Sequence, residues 1–133
     1  MKLSFKSLGF LMAFVLLSTT MVMAGGATEK LLLKAKTAIS KASADDWYVR
    51  ASWAKKCIAK GVNTKEVGQW IDKSLEIQEN AYTLEVKGDY YAKNRMTDKA
   101  ITYYIKSIQS NVKGDASYDP QAVQAKVLVL RGK

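Results

Sequence analysis

Histidine is missing from the chain, cysteine and proline occur once each, and all three phenylalanines fall within the first 24 of its 133 residues. Without histidine the commonest general base and metal ligand at neutral pH is gone, and no Ser-His-Asp or Cys-His nucleophile can be assembled. One cysteine and no histidine leave no nitrogen or sulfur zinc site that a single chain can close. Cys57 also has no partner for an internal disulfide. It reads as a small buried helix residue, with pairing between two chains as the other reading. Gly25-Gly26 lacks the lysine of a phosphate-binding loop, and Gly88-Asp89 falls within a helical pattern. The acidic pairs read as a helix cap at Asp45-Asp46 and a solvated face from Glu76 to Glu79. The sequence therefore calls for no cofactor and no metal, and the expectation is a protein that is not an enzyme.

What is present begins with an export signal. Lys2 and Lys6 precede an apolar run from Leu8 to Leu17, then polar Ser18-Thr19-Thr20 and the small-residue ending Val22-Met23-Ala24. This is the layout of a secretory signal peptide over residues 1–24, cleaved after Ala24. The run is short against the roughly 20 residues of a membrane span, so no stable span is expected after cleavage. No cysteine follows the cut, as a lipoprotein would require. The expected destination is the periplasm or the exterior. Residues 25–133 would bury about two thirds of their unfolded surface, enough for a modest core built from Leu, Ile, Val, Ala, Trp and Tyr. The net charge of +9 falls to +7 once Lys2 and Lys6 are set aside. Such a balance favours anionic surfaces, but export and the lack of a dense lysine block argue against nucleic acid.

Helical periodicity dominates the rest. From Thr28 to Ser43, Leu32, Ala35, Ile39 and Ala42 form one stripe, widened by Leu31 and Ala38, with Lys30, Lys34, Lys36 and Lys41 around it. Asp45-Asp46 caps a second helix, Trp47 to Lys60, which Gly61 ends. Asn63, with Glu66 three residues on, predicts a capping box for a third helix running to about Ile77. Two more follow within Ala81 to Val112, broken between Asn94 and Thr97. After a loop from Lys113 to Tyr118, Asp119-Pro120 opens a last helix over 119–130. There Val123, Val127 and Leu130 share a face; Val127-Leu128-Val129-Leu130 also reads as a short strand. Its expected role is to cover the open end of the last hairpin.

The hairpin at 81–112 carries Leu84, Gly88 and Tyr91 on its first helix and Ala100, Tyr104 and Ser107 on its second. In this arrangement Gly88 and Ala100 let two helices approach while Tyr91 and Tyr104 fill the space beside them. At an offset of 33, Val67 aligns with Ala100, Ile71 with Tyr104 and Ser74 with Ser107. A degenerate earlier copy thus spans 48–79. There Lys55 falls on Gly88 and Ile58 on Tyr91, so its first helix must pack differently or shift register. These residues resemble the tetratricopeptide repeat (TPR), a helix-turn-helix unit of about 34 residues. Lys87, where the family prefers leucine, and Val112, where it often has proline, depart from the motif. The resemblance implies an all-α fold, a short right-handed α-solenoid of antiparallel hairpins. It also implies a concave groove lined by the first helix of each unit. The positions are Val49, Ser52, Lys56, Ala59 and Lys60 in the earlier copy and Tyr82, Glu85, Asp89, Ala92 and Lys93 in the later. That groove would be basic at one end and acidic at the other. Trp53, Trp70, Tyr91 and Tyr104 read as packing residues; Trp47, Tyr48, Tyr82, Tyr90 and Tyr103 are open to either role. The leading functional expectation is an exported adaptor that holds another protein or peptide in the envelope. A self-assembling homo-oligomeric module and a basic protein on an anionic polymer or lipid surface are the alternatives.

Overall fold

The computed structural model describes residues 25–111 and 118–132. The expected signal peptide at 1–24, and Val112 with the loop residues 113–117, lie outside the described residues. The chain divides into two units, residues 1–34 and 35–133. The described part of the first is helical throughout. Among the described residues there are six helices: α1 over 25–41, α2 Trp47–Ala59, α3 Lys65–Ile77, α4 Ala81–Lys93, α5 Thr97–Ser110 and α6 Pro120–Arg131. The Val127–Leu130 run is helical, inside α6. Within the second unit α4 packs most extensively on α5, α2 on α3 and α5 on α6, with further packing of α4 on α2 and α3. The helices thus meet mainly their neighbours in sequence.

Local chemistry sets the ends. The Asp46 carboxylate accepts from the Val49 N–H at 3.0 Å, and the Asp119 carboxylate from Gln121 and Ala122 at 2.9 and 3.2 Å with Pro120 at the first position. The cap of α3 differs from the one expected: Thr64, not Asn63, accepts from the Val67 N–H. Asn63 sits one residue too early to cap Val67, the third residue of the helix, and its Oδ1 is buried with no hydrogen-bond partner. At the end of α2, Val62 N–H bonds the Cys57 carbonyl at 2.8 Å and Gly61 N–H that of Ile58 at 3.0 Å. This paired closure needs a left-handed residue, and Gly61 supplies it at φ 78°. α4 closes the same way, Met96 to Tyr91 at 2.9 Å and Arg95 to Ala92 at 3.1 Å, but Arg95 itself must take φ 59°.

The pairs found at an offset of 33 lie in the core. Val67, Ile71, Ser74, Ala100 and Ser107 are fully buried, and Tyr104 is 2% exposed. Each buried serine performs the same task. Ser74 Oγ donates to the Trp47 carbonyl at 2.8 Å, and Ser107 Oγ donates to the Ala81 carbonyl at 2.6 Å. In both hairpins the second helix is thereby tied to the first residue of the helix before it. The second partner of each serine is also equivalent: Ser74 Oγ lies 3.2 Å from Thr83 Oγ1, and Ser107 Oγ 2.6 Å from the Tyr118 hydroxyl. Tyr118 thus enters the core ahead of α6 as Thr83 does on α4. α6 adds Val123 and Val127 to a cluster with Ala81, Ala100, Tyr104 and Tyr118. Fully burying one such aliphatic side chain stabilises by about 1.5–3 kcal/mol.

These ties fix a register that the sequence offset missed. The second helices align at 33, but Trp47 and Ala81, the first residues of α2 and α4, are 34 apart, as are the last, Ala59 and Lys93. The extra residue is taken up between Ala59 and Val67. Ala54, fully buried, therefore holds the place of Gly88, and Cys57 that of Tyr91; Lys55 and Ile58 do not. Gly88 is required because a Cβ there would come within 2.4 Å of the Tyr104 ring. The earlier hairpin places Ile71 where Tyr104 stands, which leaves room for an alanine.

Candidate binding cleft

The same register builds a cleft in the second unit, a space of about 680 Å³ between α2, α4 and α6. Lys55, Ile58 and Ala59 of α2 face it, then Asp89, Ala92 and Lys93 of α4, then Lys126, Val129 and Leu130 of α6. Each helix thus contributes residues at i, i+3 and i+4, the spacing of one helical face. The α2 and α4 sets are again 34 apart. Ala122 and Ala125 complete the α6 wall, and the Tyr104 ring reaches the floor.

Of the positions expected in a groove, Ala59, Asp89, Ala92 and Lys93 come together here. Val49, Ser52, Lys56 and Lys60 do not line the cleft; Lys56 lies over the Trp53 ring at 4.5 Å, and Ser52 bonds the Val49 carbonyl at 3.1 Å. Counting α2 from an offset of 33 displaced that set by one residue. Lys55 and Ile58 are the residues it missed, and the 34-residue spacing of Tyr48 and Tyr82 would have found them. Tyr82 lies instead at the N-terminal ends of α2 and α4, in contact with Trp47 and Tyr48 at centroid distances of 6.4 and 5.6 Å. Trp53 and Trp70 are half-buried, as are Tyr90, Tyr91 and Tyr103. The latter three form a row with centroids 5.8 and 5.4 Å apart.

The expected acidic end is neutralised from within. Lys126 Nζ bonds Glu85 at 2.6 Å and Asp89 at 2.8 Å, and Lys55 lies 3.6 Å from Glu85 and 4.9 Å from the Tyr82 ring centroid. The Tyr104 hydroxyl donates to Asp89 at 2.7 Å. Glu85 is 9% exposed, so its carboxylate serves this network and is not presented to a ligand. Burial alone would lower the Lys126 ammonium, but Asp89 and Glu85 outweigh it and hold its pKa above the ordinary lysine value. Burial, then the nearby charges of Tyr48, Glu85 and Asp89, push the Tyr82 hydroxyl up to about 12. Tyr104 is pushed up further, by burial first and then by Asp89. Lys87 is buried and ion-paired with Asp72. Cys57 is fully buried, which raises its thiol pKa. Among the described residues no helix is long and apolar enough to cross a membrane.

No family model matches the chain, and neither a curated protein nor a solved structure is significantly similar to it. The class that the coordinates define is an all-α domain whose six described helices pack mainly on their sequence neighbours, with no family identified.

Proposed function

We propose that this is an exported, non-catalytic adaptor: a TPR-like pair of hairpins closed by α6, which binds a peptide segment of another protein in the cleft between α2, α4 and α6. The observation that carries the reading is the cleft itself, walled by the same i, i+3, i+4 set on three alternate helices, α2, α4 and α6. A helix bundle closed for stability alone would fill that face. Here the wall residues are small, with Ala59, Ala92, Ala122 and Ala125 leaving space that larger side chains would occupy. The repeat reading is supported by the twofold serine tie, the Gly88–Tyr104 contact and the 34-residue spacing of α2 and α4. Export is supported by the residues of the 1–24 segment.

The test is photo-crosslinking in the protein's own cells, with the crosslinker at Ala125 in the cleft or at Gln109 on the exposed side of α5. A discrete crosslinked protein is expected from Ala125 alone, and Val129→Trp, which fills the cleft, should remove it. Equal products from both positions, or none from Ala125, would overturn the adaptor reading. N-terminal sequencing of the exported form should begin at Gly25; a product that retains residues 1–24 would remove the cleaved-signal part.

A further inference from the structure

We infer that the cleft selects an acidic, apolar segment: about five or six residues of extended chain that set one bulky apolar side chain against Ile58, Ala92 and Val129 and a side-chain carboxylate on Lys93. The inference rests on the peptide-binding reading above and names the chemistry of the partner.

Charge decides the sign. Four charged residues line the cleft, and three are lysines: Lys55, Lys93 and Lys126. The one acid, Asp89, already takes a bond from Tyr104 at 2.7 Å and one from Lys126 at 2.8 Å. Glu85, beneath the lining, answers Lys126 at 2.6 Å and Lys55 at 3.6 Å. Two carboxylates thus neutralise two ammonium groups. Lys93, exposed at the end of α4, makes no ion pair among the described residues. A ligand that brings one negative charge completes the set, whereas a cationic ligand would meet an unmatched ammonium and no free acid. A neutral apolar ligand would leave Lys93 facing it unpaired.

Size and shape select a chain crossing the helices. The volume of about 680 Å³ lies in the range of ligand-binding clefts. Along each helix the i to i+4 set spans only about 6 Å. α2 and α4 pack, at about 8–10 Å between axes, and α6 stands at least as far beyond α4, which it reaches through Lys126, so the cleft spans at least roughly 16–20 Å across the helices. At about 3.3 Å per residue that length is five to six residues of extended peptide. The lining offers Lys93 as a point charge and includes no asparagine or glutamine. A side-chain carboxylate satisfies that donor, and a free chain terminus is not required.

The experiment is selection of phage-displayed random 12-residue peptides on the protein purified after expression of the full chain. Binding of the winners is then measured as synthetic peptides with amidated C-termini. Enriched peptides should carry Asp or Glu within a few residues of Leu, Ile, Phe or Trp. They should bind at least tenfold more weakly to both Ala92→Trp and Lys93→Glu. Repeating the selection on Lys93→Glu should replace the acid by Lys or Arg. Should Ala92→Trp fail to fold by circular dichroism, Val129→Trp, at a position 62% exposed, fills the cleft from its open side without a change of charge. Peptides lost on cleft blocking but basic, or indifferent to Lys93→Glu, would overturn this inference and leave the cleft reading standing. Winners that bind the blocked variants as tightly as the parent, a cleft filled by a second copy in sedimentation, or no enrichment at all would overturn both.

Discussion

Replacing Gly88 by alanine tests the contact on which the later hairpin is built. A Cβ at Gly88 would lie 2.4 Å from both Cδ1 and Cε1 of Tyr104 and 3.1 Å from Cγ. Non-bonded carbons settle near 3.5–4.0 Å, so something must move by roughly 1 Å. The ring has little room to do so. Tyr104 is 2% exposed, and its hydroxyl is held at 2.7 Å by Asp89, the residue next to Gly88 on the same helix. The clash must therefore part α4 from α5, the most extensively packed pair. With no room for the ring, overpacking should cost about 2–3 kcal/mol, the upper part of the usual range, against about 1 kcal/mol gained because alanine favours a helix over glycine. The expected net loss in urea denaturation is about 1–2 kcal/mol, or roughly 5–10 °C in Tm. Gly68→Ala is the control. Its Cβ would meet Tyr90 at Cζ and Oη, 2.8 Å away, the far end of a half-buried ring that can swing aside. Stability there should stay within about 0.5 kcal/mol of the parent or rise. Combining Gly88→Ala with Tyr104→Leu should recover at least about 1 kcal/mol relative to the sum of the two singles. A Gly88→Ala protein as stable as the parent, or strict additivity in the double variant, would refute the reasoning.

Arg95→Gly should raise stability by about 0.5–1 kcal/mol, because the left-handed φ of 59° costs a residue with a Cβ about 1–2 kcal/mol and the added chain entropy of glycine offsets part of the gain. Arg95→Ala, which keeps the strain and drops the charge, should show no such gain in thermal melts; a rise equal to that of the glycine variant would assign the effect to charge instead. Stability should also fall on the alkaline side. Tyr82, Tyr104 and Lys126 all release their protons later in the folded state than in the unfolded chain, where tyrosine titrates near 10 and lysine near 10.4. Their contribution is whole below about pH 10 and is lost as pH rises through the folded values, about 12 for Tyr82. Urea midpoints measured from pH 8 to 12 should drop, less steeply for Tyr82→Phe; a flat profile, or an unchanged slope in that variant, would contradict the assignment.

Local signals in the sequence were sufficient for the elements and most of their ends. Asp46, Gly61, Asp119 and Pro120 act through atoms within four residues of themselves, so their roles could be read from the chain alone. The Asn63 cap failed by one position because Asn63 and Thr64 are both good capping residues, and only the turn geometry decides which side chain faces the N–H of Val67. The groove failed by one position for a different reason. The offset of 33 is correct for the second helices, whose Val67, Ile71 and Ser74 match Ala100, Tyr104 and Ser107. It does not hold for the first helices, because the connection from Ala59 to Val67 is one residue longer than that from Lys93 to Ala100. Lys126 was beyond any local reading. Its partners Glu85 and Asp89 lie 41 and 37 residues away and meet it only once α6 is docked.

That docking gives α6 two roles that cannot be separated. Its inner residues Val123 and Val127 join Ala81, Ala100, Tyr104 and Tyr118 in the core. Its adjoining face supplies Lys126, Val129 and Leu130 to the cleft. Lys126 joins the roles, because the ammonium that fastens α6 to α4 also removes Glu85 and Asp89 from any ligand's reach. Removing Lys126 would therefore loosen the helix and expose two carboxylates at once. The cleft would change from one unmatched cation, at Lys93, to an even balance, with Lys55 and Lys93 left against Glu85 and Asp89. The same ion pairs that hold the last wall in place thus set the charge preference of the space it encloses, and stability and selectivity in this domain are expected to change together.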